Sequence, residues 1–177
     1  MGNSMRQGRR SIRMKGFDYS SSGSYFVTIC TQNRARLFGT IHDGQMILST
    51  IGEMIHTEWL RLFSSNPFIT PDEFIVMPDH FHGIIGIDPI GDSDGNIPFG
   101  VGGQAQGLPL RLAEPISLAD IIREFKSRTT LKFIRGVHSE GWTPFRNRLW
   151  QRNYYERVIR NEQELTRVRE YIRANPL

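Results

Sequence analysis

The sequence predicts an α+β fold, with one antiparallel sheet and helices packed mainly on one face. Three observations carry this reading. Runs rich in aromatic and β-branched residues alternate with segments whose apolar residues recur at helical spacing. An Asp-Gly dipeptide at 43–44 joins two short apolar runs, which is a hairpin signal. Two further apolar runs meet at Pro78-Asp79, leaving no room for a crossover helix between them. In chain order, residues 25–31 (YFVTICT) read as the first strand, and 36–41 and 45–48 as a hairpin around His42-Asp43-Gly44. Residues 49–63 place Ile51, Met54, Ile55, Trp59 and Leu62 on one helical face, with Ser49 or Thr50 as the cap. Residues 73–77 and 80–87 read as adjacent strands. A helix over 117–135 starts from a Ser117 cap and buries Leu118, Ile121, Ile122, Phe125 and Phe133. Residues 149–155 suggest a last strand, and 162–174 a basic amphipathic helix.

The 177 residues suit a single domain spanning 1–177, and 38% hydrophobic content is enough for a real core. No apolar run reaches the roughly 18 residues of a membrane span. The single cysteine, Cys30, can form neither an internal disulfide nor a zinc ribbon. The basic start has no apolar stretch of a secretory signal, so the expected setting is cytoplasmic. The net charge of +4 hides an uneven layout: +5 in an arm over 1–17, −8 over 18–120 and +7 over 121–177. Basic ends of this kind attract polyanions, although they also serve as solubilising surface. Residues 88–115 are rich in Gly and Pro and read as a flexible insertion. Its GVGGQAQG run fits neither a dinucleotide-binding nor a phosphate-loop pattern.

The strongest chemical signal is Met77-Pro78-Asp79-His80-Phe81-His82-Gly83-Ile84. On a strand, His80 and His82 project from one face while Phe81 packs on the other. Two adjacent imidazoles can hold one divalent ion, and they are also compatible with ordinary hydrogen-bonded strand histidines. A zinc hydrolase would need more ligands than the chain supplies. His138 is expected on a surface loop, His42 in a turn and His56 on a helix surface. On the last helix Leu165, Val168 and Ile172 define the buried face, with Tyr171 and Asn175 one turn apart at its margin. A phenol there can pack or act as a nucleophile, and an amide oxygen can pack or complete a metal shell.

In these motifs the sequence resembles the REP-associated tyrosine transposases, relatives of the single-strand insertion-sequence transposases that carry a His-hydrophobic-His motif. The resemblance runs from about Arg9 to the end. It rests on RRSIRMKGFDY at 9–19, YFVTICTQNR at 25–34, MPDHFHGI at 77–84, WQRNYYE at 150–156, IRNE at 159–162 and REYIRANP at 169–176, in that order. It implies a ferredoxin-like, RNA-recognition-motif-like sheet with the Tyr171 helix lying against the histidine strand. It further implies Tyr171 as nucleophile and His80, His82 and Asn175 as ligands of Mg²⁺ or Mn²⁺. The activity would be cleavage and rejoining of single-stranded DNA through a 5′-phosphotyrosine, on hairpin-bearing DNA, with nucleoid association when bound. Expected DNA contacts are Arg9, Arg10, Arg13, Lys15, Arg123, Lys126 and Arg152. Tyr154 and Tyr155 are expected to be structural or DNA-contacting. A homodimer exchanging its tyrosine is one arrangement the resemblance allows. The rival reading is a nucleic-acid-binding regulator that keeps the fold without cleavage. Where relatives often carry Asn before the first histidine, this chain has Asp79.

Overall fold

The computed structural model describes residues 22–88 and 116–176. The arm carrying Arg9, Arg10, Arg13 and Lys15, and the Gly-rich insertion beyond Asp88, lie outside the described residues. The elements are β1 (Gly23–Cys30), β2 (Gly39–His42), β3 (Gln45–Leu48), α1 (Thr50–Ser64), β4 (Ile69–Met77), β5 (His80–Ile87), α2 (Leu118–Ser139), β6 (Tyr155–Ile159) and α3 (Glu162–Ala174). The main sheet has the order β4-β5-β1-β6, with every neighbouring pair antiparallel. With the β2–β3 hairpin set aside, the chain runs strand, helix, strand, strand, helix, strand, then α3. That is the ferredoxin-like arrangement with one added helix.

Alternation along β1 divides the sheet. Tyr25, Val27 and Ile29 are fully buried against the main core, which gathers Trp59 and Leu62 from α1 and Phe125 and Phe133 from α2. Phe26 and Thr28 turn to the other face. There α3 closes a smaller cluster of Ile84, Ile159, Val168 and Ile172, with Phe26, Ile75 and Leu165 at its edge. Two helices therefore cover one face, and the third lies alone on the opposite one. Gly83 is required by close approach: a Cβ there would meet the Trp59 ring at 2.7 Å. The hairpin closes through Asp43 and Gly44, with φ 48° and 72°, the pair of left-handed residues its tight turn demands.

Both α1 and α2 start from side-chain caps, Ser49 on Gly52 N and Ser117 on Asp120 N, as the sequence suggests. Four boundaries differ from expectation. The first arm of the hairpin begins at Gly39 rather than 36. β4 begins at Ile69, running through Pro71, because it is an edge strand with a bulge between Pro71 and Phe74. The helix begun at Ser117 continues to Ser139, so His138 sits exposed in its last turn and not in a loop. The last strand is Tyr155–Ile159 rather than 149–155. Trp150 makes only one isolated bridge, to Thr31, because its ring is drawn into the core, where its Nε1 donates to Thr129 Oγ1 at 2.9 Å. The carbonyls of Gln151, Arg152 and Asn153 are taken by the Lys126 ammonium at 3.0–3.4 Å instead of by a neighbouring strand. No helix among the described residues is long and apolar enough to cross a membrane.

Candidate active site

The α3 face of the sheet carries the reactive groups. His82 lies opposite Thr28 of β1 and Ile75 of β4, and His80 lies opposite Cys30 and Met77. The two imidazoles turn their Nε2 atoms toward each other at 3.1 Å. Each ring is held from behind through Nδ1, His80 by Asp79 Oδ1 at 2.5 Å and His82 by Thr28 Oγ1 at 2.8 Å. Phe26 stacks on His82, with ring centres 5.4 Å apart and planes 24° apart. His82 is 5% exposed, and its pKa falls to about 4 through burial, then the neighbouring His80, then the charge of Arg34. At neutral pH it is an uncharged base with a lone pair to offer.

Tyr171 reaches this pair from α3. Its hydroxyl lies 3.4 Å from His82 Nε2, and its ring meets Phe26 edge-on at 6.0 Å. Tyr171 is 50% exposed, beside a buried base. All three groups belong to one chain, and the arrangement needs no exchange between subunits. On the other flank of α3, Arg169 grips Asp72 with two bonds, Nε to Oδ1 at 2.9 Å and a second nitrogen to Oδ2 at 2.6 Å. Arg173 pairs with Glu73. The β4 bulge presents these consecutive carboxylates to the same helix, which a regular strand would point apart. The Arg169 hydrogen bond holds the Asp72 carboxyl below its ordinary range, against the opposing effect of burial.

The histidine pair fits a divalent ion. Ligands about 2.1 Å from one cation at right angles sit roughly 3 Å apart, close to the observed separation. The carboxylate behind His80 and the hydroxyl behind His82 are the supports metal-bound histidines need. Asn175 is placed differently from its expected partners: its Nδ2 donates to the Tyr171 carbonyl at 2.8 Å. Among the described residues no group of three His, Cys, Asp or Glu side chains converges on a metal position.

The expected DNA contacts separate in the same way. Arg152 is exposed and makes no ion pair among the described residues, whereas Arg123 is paired with Asp120 at 2.6 Å. The Lys126 amine is occupied by the three carbonyls and lies over the Tyr154 ring, and burial lowers its pKa to about 8. Tyr154 packs against the main core, while Tyr155, 55% exposed, lies across β1 from His82 on the same face through the shared partner Thr28. Sequence reading missed Thr28 and Arg34, although both lie within the YFVTICTQNR motif. Their contacts to His82 and Asp79 bridge distant strands, and spacing alone does not reveal them.

No family model matches the chain. An uncharacterized protein of Haemophilus influenzae is 36% identical over 172 residues, which cover 96% of this chain and 88% of that protein. A REP-associated tyrosine transposase solved bound to a REP hairpin superposes with a TM-score of 0.55 at 18% identity, over 93% of this chain and 72% of that one. The second likeness establishes the fold, and the first establishes kinship: the chain belongs to one family with the Haemophilus influenzae protein, on the fold of the REP-associated tyrosine transposases.

Proposed function

We propose that the protein is a metal-dependent transposase or nuclease of single-stranded, hairpin-bearing DNA, with Tyr171 as nucleophile. The observation that carries this reading is the convergence of Tyr171 on His82 Nε2, with His80 alongside, in a single chain. A Mg²⁺ or Mn²⁺ ion held by His80 Nε2 and His82 Nε2 would supply Lewis-acid polarisation of the scissile phosphate. With only two imidazoles offered here, DNA oxygens, water and the Asn175 amide oxygen are the candidates for the remaining positions.

The Tyr171 oxygen attacks phosphorus in line. The tyrosyl O–P bond forms, the P–O3′ bond breaks, and the phenolic proton ends on the released 3′ oxygen. The product is a 5′-phosphotyrosine and a 3′-hydroxyl. The exchange is balanced in charge and protons, so a different 3′-hydroxyl can reverse it and join new ends without an external energy source. Asp79 and Thr28 fix the orientations of the two rings, and Phe26 walls off one side of His82. The transposase of like fold was solved with a hairpin bound, which supports a DNA partner here.

The test is incubation with Mn²⁺ and labelled single-stranded hairpin DNA from the neighbouring genome, read as a denaturant-resistant adduct. The wild type forms it, and Tyr171→Phe forms none. Tight hairpin binding by a wild type that forms no adduct would favour the regulator reading instead.

A further inference from the structure

We propose that Arg34 grips the scissile phosphate, acting as a fixed cation at the rim of the histidine pair. The inference rests on the cleavage reading above and adds a substrate-contacting residue to it. After β1 the chain makes a short 3₁₀ turn, Gln32–Arg34, in which Asn33 and Arg34 take φ of 57° and 53°. Asparagine tolerates this left-handed region, but arginine seldom occupies it.

The turn is fastened to the start of β5. Thr31 donates twice to the Asp79 carbonyl, from N at 3.0 Å and from Oγ1 at 2.9 Å. Thr31 Oγ1 also reaches the Ala35 carbonyl at 2.9 Å, and Phe38 N donates to the Pro78 carbonyl at 3.0 Å. These bonds lay residues 31–38 over the Pro78-Asp79 turn and bring the Arg34 guanidinium 3.7 Å from Asp79 Oδ1. That same oxygen holds His80 Nδ1.

Two features leave this arginine available. Its ion pair is longer than the roughly 2.7–2.9 Å of a charge-assisted hydrogen bond, and Arg34 has no other side-chain partner among the described residues. Its donors are therefore unspent, and its side chain is 56% exposed. By contrast, Arg169 commits two donors to Asp72. The Asp79 carboxylate stands between this guanidinium and His80, and the pair leaves most of the arginine's donors uncommitted. The uncommitted donors can take a second anion. A phosphodiester has the required charge, and its paired non-bridging oxygens match the planar guanidinium fork. Held there, Arg34 would neutralise charge developing on those oxygens as Tyr171 attacks.

The experiment measures adduct formation with saturating hairpin DNA and Mn²⁺, alongside equilibrium binding in a Tyr171→Phe background. Arg34→Gln is expected to slow adduct formation about 100-fold and to weaken binding less than about 3-fold, with an unchanged melting temperature. Arg34→Lys should retain more of the rate than Arg34→Gln. If Arg34 worked only by steadying Asp79 behind His80, the Gln substitution would cost nothing further in an Asp79→Asn background. The expected result is a similar additional loss there. A rate within about 3-fold of wild type, or no additional loss in the Asp79→Asn background, overturns the role of Arg34 and leaves the cleavage reading intact. A wild type that forms no adduct overturns both.

Discussion

The imidazole of His82 links folding to pH. Its pKa in the fold is about 4 against an ordinary 6.5, because burial and then His80 and Arg34 disfavour the charged ring. The unfolded chain takes up this proton near pH 6.5, and the folded chain refuses it until about pH 4. Its contribution therefore makes stability fall as pH drops through that window, by on the order of 3 kcal/mol, with no further loss from this group below it. Urea unfolding without added metal at a series of pH values checks this, and His82→Gln should flatten that part of the profile. Beside it, Gly83→Ala should destabilise by roughly 1–3 kcal/mol, since its methyl enters the space of the Trp59 ring. Thermal melts read that loss. The alternation of a strand made the shared face of His80 and His82 legible, along with the opposite burial of Phe81. Thr28 was not legible, because it is 54 residues from the ring it supports and only strand register brings the two together.

Among the elements, α3 has the most to hold in place. Its apolar contacts are few, so its rotation on the sheet depends on the carboxylates of the β4 bulge. Arg169→Ala should cost about 1–2 kcal/mol. The loss should concentrate in α3, whose amides exchange with deuterium about tenfold faster while those of β1 and β5 keep their protection. Adduct formation should slow in parallel as Tyr171 loses its alignment. The bounds of the helix were readable end to end, 162–174, from the spacing of Leu165, Val168 and Ile172, whereas its Asn161 cap emerged only in the fold. Its anchor was hidden because Pro71 looks like a strand breaker. An edge strand accepts that proline, and the bulge after it turns Asp72 and Glu73 to one side. The last strand was misplaced for a related reason: aromatic content at 149–155 signals burial, and in Trp150 the burial is that of a loop.

Across the whole molecule, pairing decides which of the many C-terminal cations remain available. Arg128 and Lys132 converge with Arg61 on the buried Glu58, joining α1 to α2. Burial alone would raise the Glu58 pKa, but these three cations hold it below its ordinary value. Arg146, Arg148 and Arg152 are exposed and make no ion pair among the described residues. Replacing all three by Gln should weaken hairpin binding and reduce its salt dependence, by roughly 0.7 in the log–log slope for each phosphate no longer neutralised. Titrations across a range of salt concentrations test this. Charge totals from the sequence located the basic third correctly, but could not divide structural from free arginines. Finally, the groups proposed to react stand on one face of the sheet, whereas most of the stabilising core lies on the other. The proposed chemistry and folding are therefore separable under mutation. A lineage could lose Tyr171 or His80 and still inherit an intact scaffold, so survival of the fold in a relative says little about survival of the reaction.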